Sequence, residues 1–268
     1  MQLTKLMLFV LPAILVGTAT AAQKKQESLL VHYGKLNPST TQGYTYLILE
    51  AAHYNKNEIQ QFKKSNKRVL AYVSLAEVNA HASYYKNIKN YTLEKNENWN
   101  SYLLNITNSE TKLVIMELIN NLIKKGFDGF FFDNFDNYGP YGKQGEQKHG
   151  LFSILKNIKE RYPNLFIIQN AGLELLNETG KFVDAIAVES VATNYNLKTA
   201  QYQLRDSFAF QKYLQKIKCL SQKHNLPVLL IEYANTKALK DSVESRLKNE
   251  SFPYFVGHIY LQNIPQFE

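Results

Sequence analysis

Eight short apolar runs constrain this chain more than any other feature. They are Leu29–Gly34, Tyr44–Ala51, Arg68–Leu75, Phe127–Asp133, Leu165–Asn170, Val183–Glu189, Pro227–Tyr233 and Phe255–Leu261. Most are near-continuous stretches of Val, Ile, Leu and Phe, the pattern of parallel strands covered on both faces. Helical spacing fills the intervals. Asn55–Asn66 sets Ile59 and Phe62 among charges, and Ser109–Lys124 repeats apolar positions from Leu113 to Ile123, with Asn108 to cap its start and Gly126 to stop it. Leu151–Tyr162, Asp206–His224 and Thr236–Lys248 read likewise. Strands alternating with helices form βα units, and eight such units close on themselves. The expected fold is therefore α/β, a single-domain (β/α)8 TIM barrel. Two connections depart from the ideal. Lys35–Gly43 is too short for a helix, and Ala76–Thr107 reads as a long polar loop after the third strand, carrying Tyr84, Tyr85, Tyr91, Trp99 and Tyr102.

Residues 1–22 read as a signal peptide. Lys5 is their only charge, Leu6–Val16 is apolar, and small residues from Gly17 to Ala22 precede Gln23-Lys24-Lys25. The apolar run falls short of the roughly 20 residues of a spanning helix, so a retained anchor is the lesser alternative. Cleavage would leave residues 23–268 as one domain, close to the roughly 250 residues typical of one barrel. The mature protein is expected to be secreted or periplasmic, free of the membrane and monomeric. The full chain's net charge of +8 is spread over helix-like segments rather than gathered in one arm. With no phosphate-cradling glycine loop and no RNA-binding aromatic signature, a solvated basic surface is expected and no nucleic-acid partner. The lone cysteine, Cys219, sits among Leu214, Ile217 and Leu220 and is expected to be a buried, inert thiol. Six scattered histidines and one cysteine have no zinc-like spacing, so neither metal nor cofactor is expected. Asp133-Asn134-Phe135-Asp136-Asn137 lacks the glycine and distal glutamate of a calcium loop.

In a parallel barrel the chemistry sits where strands end. Those ends carry Glu50, Glu77, Asp133 with Asp136, Asn170, Glu189, Glu232 and Gln262. Like charges raise one another's pKa, so acids crowded at one end of a barrel point to acid/base work or to a cationic ligand. Taken singly, each acid is equally explained by a loop cap or a lysine partner. Asp133 follows Phe130-Phe131-Phe132, which makes a low-dielectric wall, and Glu189 ends the apolar run Ala185–Val188. Two carboxyls flanking a sugar ring can hydrolyse a glycosidic bond, and their separation decides retention or inversion. Asp128, near its strand's start, is expected to make a structural hydrogen bond. Of the 18 tyrosines, Tyr33, Tyr72, Tyr233 and Tyr260 fall in or at the end of predicted strands. Each can stack on a sugar or serve as a core ring with a bonded hydroxyl.

At these same residues the sequence resembles the glycoside hydrolase family of endo-α-1,4-polygalactosaminidases. The matching segments are Arg68–Val78, Trp99 with Leu103–Asn108, Gly126–Gly129, Asp133–Asp136, Asn170-Ala171-Gly172, Val188-Glu189-Ser190 and Ile231–Ala234. The resemblance implies that Asp133 and Glu189 are the catalytic pair, nucleophile and acid/base respectively. It also implies a polysaccharide substrate. Tyr33, Glu50, Tyr72, Glu77, Asp136, Asn170, Glu232, Tyr233 and Tyr260 are the candidate substrate-binding residues. Ala76, Asn105 and Glu50 depart from the family's usual residues, which bears on the choice of glycan. A galactosamine polymer with free amines is cationic, and an acidic cleft would attract it despite the basic surface. A different microbial glycan and a non-catalytic carbohydrate-binding barrel are the alternatives.

Overall fold

A computed structural model describes residues 27–267; the expected signal peptide, residues 1–22, lies outside them. Eight strands form one sheet: β1 (Leu29–His32), β2 (Tyr46–Leu49), β3 (Val69–Ser74), β4 (Gly129–Asp133), β5 (Phe166–Asn170), β6 (Ala185–Glu189), β7 (Val228–Tyr233) and β8 (Tyr254–Gly257). Their spatial order is their sequence order, and every neighbouring pair is parallel. The seam between β8 and β1 is joined just beyond the strands, where the Tyr33 N–H donates to the Leu261 carbonyl at 2.7 Å. The result is a nearly closed (β/α)8-type barrel.

Five full helices pack outside it: α1 (Lys56–Ser65), α2 (Ser109–Lys125), α3 (Lys148–Arg161), α4 (Ser207–His224) and α5 (Lys237–Leu247). Their starts are written in the sequence. Asn55 and Glu58 make a reciprocal capping box on α1. Asn108, Asp206 and Thr236 each accept a backbone N–H at the first turn of α2, α4 and α5. Such caps are worth about 1 kcal/mol apiece. Gly126 ends α2 at φ 110°, a left-handed conformation that a side chain would strain. The connection after β1 has no helix, and the one after β5 has only short helical turns between Leu173 and Phe182.

Alternation along the strands divides the core in two. Leu29, Val31, Tyr46, Ile48, Leu70, Phe131, Ile168, Ala185, Ala187, Leu229 and Ile231 fill the barrel interior. Their neighbours, among them Leu47, Leu49, Val69, Phe130, Phe132, Ile167, Ile186, Val188 and Leu230, pack against the helices. Phe130 and Phe132 stack with ring centroids 5.1 Å apart on the outer side, while Phe131 points inward between them. Fully burying a side chain of this size contributes about 1.5–3 kcal/mol, so strand parity is strongly enforced. A side chain two residues beyond an interior residue therefore emerges inside the barrel mouth.

Three readings need correction. The stretch after β3 is not a plain loop: Glu77–Asn79, Ser101–Leu104 and Thr92–Asn96 form a small antiparallel sheet, with a helical turn at Tyr85–Ile88. Buried Val78, Ile88, Leu103 and Leu104 give it a core, which a reading of the stretch as polar overlooks. A hairpin, Thr193–Asn196 with Gln201–Leu204, stands where the sequence suggested only a link to α4. Cys219 is exposed rather than buried. The buried stripe of α4 is Phe210, Leu214 and Ile217, and Cys219 lies two residues past Ile217, on the far side of the helix. Asp128 makes the structural contacts anticipated for it, accepting the Val69 N–H at 2.8 Å and pairing with Lys63 at 2.7 Å. Among the described residues no helix is long and apolar enough to cross a membrane.

Candidate active site

Strand parity assembles the site. One or two steps beyond the interior residues, Tyr33, Glu50, Tyr72, Asp133, Asn170, Glu189 and Tyr233 reach the barrel mouth on the inner face of their strands. All but Asn170 line one cavity of about 730 Å³. Asn170 is buried just below, between the two acids.

One amide joins the carboxylates. The Asn170 Nδ2 donates to Asp133 Oδ1 at 2.7 Å and to Glu189 Oε1 at 2.6 Å. The two oxygens are therefore no farther apart than the sum of these distances. Each carboxylate receives a tyrosine on its other oxygen: Tyr72 Oη donates to Asp133 Oδ2 at 2.9 Å, and Tyr233 Oη to Glu189 Oε2 at 2.5 Å. Asp133 Oδ1 also accepts the Asn134 N–H at 2.7 Å. Asp133 thus has three donors and Glu189 two.

The electrostatics oppose double ionisation. Burial, and then the charge of Glu189, push the Asp133 carboxyl up to about 7, with Asn170, the Asn134 N–H and Tyr72 pulling it back. Burial raises Glu189 too, against the pull of Tyr233 and Asn170. Both shifts favour the pair keeping a proton toward neutrality. Glu50 is raised by burial and makes no ion pair among the described residues. Its nearest fixed donor is the Ala52 N–H at 3.3 Å.

The backbone turns sharply behind each key residue. Asn134, Ala171 and Ser190 directly follow Asp133, Asn170 and Glu189, and all three have left-handed φ of 54–65°. That conformation costs a non-glycine residue roughly 1 kcal/mol or more, and strain of this kind gathers where geometry serves chemistry. Tyr33 and Tyr72 pack with centroids 4.4 Å apart, and Tyr72 stacks on Phe131 below, so the floor of the site is aromatic.

The remaining candidates lie elsewhere. Glu232 points outward, because its inward neighbours on β7 are Ile231 and Tyr233. Fully buried, it accepts the N–H groups of Val191, Ala192 and Thr193 and the Thr193 hydroxyl, leaving nothing for a ligand. Its assignment as a substrate-binding residue is withdrawn in favour of holding the chain behind Glu189. Asp136 lies in a turn after β4 and lines a second cavity of about 340 Å³ with Glu77 and Glu174. Glu77 reaches both cavities, but Asn96, Asn137 and Ser101 all donate to its carboxylate. Tyr260 lies on the rim of the main cavity. Trp99, singled out in the sequence as part of an aromatic-rich stretch but not among the candidate site residues, also lines that cavity.

Two partly buried carboxyls bridged by one amide at the mouth of a parallel barrel, with their bridged oxygens closer than the roughly 6.5 Å at which inverting pairs begin, are the equipment of a glycoside hydrolase. The sequence matches glycoside-hydrolase family GH114 over residues 16–265, and the chain belongs to that family. No curated protein sequence matches it. Among solved structures it is similar to the glycoside hydrolase domain of PelA from Pseudomonas aeruginosa, with TM-score 0.77 and 20% identity over 89% of this chain and 96% of that one. It is also similar to Aspergillus fumigatus Ega3, solved in complex with galactosamine, with TM-score 0.70 and 14% identity over 90% and 94% of the two chains. At these identities the likeness shows the fold; the family match makes the chain a glycoside hydrolase.

Proposed function

We propose that this chain is an exported, endo-acting glycosidase that cuts an α-1,4-linked galactosamine-containing polysaccharide with retention of configuration. Asp133 is the nucleophile in this reading, and Glu189 the general acid and base. The observation that carries it is the single Asn170 amide bridging the two carboxylates, which holds them at the short separation of a retaining pair.

In the first step an ionised Asp133 oxygen attacks the anomeric carbon. The bond from that carbon to the leaving sugar's oxygen breaks, and the oxygen takes the proton held by Glu189. In the second, water gives a proton to Glu189 and attacks the same carbon, releasing Asp133. Asp133 has more donors than Glu189, which favours leaving the negative charge on Asp133 and the shared proton on Glu189. Burial raises both carboxyls, which favours keeping a proton on the pair into the neutral range.

Glu50 supports the choice of sugar. A partly buried carboxyl in the same cavity as the pair, near Lys125 and His53 but with no direct ion pair among the described residues, can accept a protonated amine of the substrate. The galactosamine bound to a protein of similar fold points the same way. The N-terminal leader read from the sequence supports export.

Proton NMR of the first products from an α-1,4-galactosamine polymer tests the proposal. The α-anomer should appear first and mutarotate later. Initial β-anomer would overturn the retaining assignment, and absence of any product would overturn the choice of substrate.

A further inference from the structure

Trp99 is the chain's only tryptophan, and it is 41% exposed; Tyr260 is 63% exposed. Neither ring belongs to the hydrophobic core on either side of the barrel wall. Both nevertheless line the cavity that holds Asp133 and Glu189. They arrive from insertions far apart in sequence, after β3 and after β8, and meet edge to face with ring centroids 6.1 Å apart at 80°.

Both rings stand on fixed backbone. Trp99 sits in the turn between Thr92–Asn96 and Ser101–Leu104, where the Asn96 side chain accepts the Asn98 N–H at 3.2 Å and itself donates to buried Glu77. Tyr260 is flanked by two anchored residues. The Ile259 N–H donates to the Tyr202 hydroxyl at 3.1 Å, and buried Leu261 closes the β1–β8 seam. Two large exposed rings in contact with each other, lining the cleft and outside the core, form the kind of exposed apolar patch that marks a ligand-binding groove.

We propose that Trp99 and Tyr260 form an additional sugar-binding subsite at the cleft rim, which holds an amino-sugar unit of the polymer away from the bond being cut. This rests on the reading of the substrate given above. In the barrel the strands between β8 and β3 are β1 and β2, so the subsite stands on the side of the mouth that carries Tyr33 and Glu50. The edge-to-face contact occupies a face of only one ring and leaves the other ring's faces open. An open aromatic face takes the C–H side of a pyranose. It also attracts a protonated amine, most strongly when the ring is tryptophan. The subsite therefore favours free-amine galactosamine units over their N-acetylated forms, and it acts on long chains more than on short ones.

Trp99 is its own reporter. In Asp133→Asn protein, tryptophan emission should shift saturably with galactosamine oligosaccharides, and N-acetylated oligosaccharides of equal length should bind more weakly. Tyr260→Ala in that background should weaken binding on the order of tenfold. In otherwise wild-type protein, Trp99→Ala and Tyr260→Ala should each raise KM for the polymer, and the loss should shrink as the oligosaccharide shortens. If the wild type cleaves the galactosamine polymer and both variants match it in KM and product length, the subsite is refuted while the proposed function stands. If the wild type cleaves no galactosamine polymer, both fall together.

Discussion

Asp133 and Glu189 resist ionising together, and that resistance has two measurable consequences. The first is in catalysis. The pair must hold one proton, so kcat/KM should follow a bell between pH 4 and 9. Its alkaline limb should fall near 7, where the last shared proton leaves. A profile flat from pH 6 to 9 would contradict this. The second is in stability. Burial raises both carboxyls of the pair above their unfolded values, so the stability they contribute is full below pH 4 and is lost as pH rises toward 7. Each tenfold difference in proton affinity between the folded and unfolded chain is worth about 1.4 kcal/mol. Asp133→Asn should therefore melt several degrees above wild type at pH 8, with the gap closing toward pH 4. Thermal scans at the two pH values check the sign; a variant less stable than wild type at pH 8 would show that Asp133 stabilises the fold instead. The separation of the pair was beyond sequence reading, because it depends on how β4, β5 and β6 align around Asn170.

Strands and helices explain which acids came together. All eight strands were legible as apolar runs, most trimmed in the fold by a few residues, while the last begins one residue earlier than its run, at Tyr254. Parity was legible too, and it alone separates Glu189 from Glu232. Ala185, Ala187 and Glu189 share one face of β6, whereas Glu232 lies between inward Ile231 and Tyr233. Counting every acid at a strand end as a site residue ignored that alternation. The true role of Glu232 predicts the effect of removing it. Glu232→Ala would strand three buried N–H groups, each costing about 1–3 kcal/mol, so the variant should lose several kcal/mol in denaturant unfolding. A shift below about 1 kcal/mol would mean that water replaces the carboxylate. The sheet inserted after β3 and the hairpin after β6 were less legible, because their short half-exposed strands carry little periodicity. Cys219 was misplaced for a related reason: nearby apolar residues were read as one face without counting the turn of the helix.

Among the described residues the molecule is an abbreviated barrel, with five full helices around eight strands and its added structure concentrated at the end where the carboxylates emerge. The opposite end of the barrel carries stability and the loop end carries chemistry. That division lets the surface remain basic overall while Glu50, Asp133 and Glu189 make the cleft acidic, since salt screens distant charge beyond about 8 Å. The most direct test of the account is reducing-end release from an α-1,4-galactosamine polymer by wild-type protein, Asp133→Asn and Glu189→Gln, each confirmed as folded. The account predicts release by the wild type, with both variants slower on the order of a thousandfold or more. An Asp133→Asn protein that cleaves at the wild-type rate would contradict it.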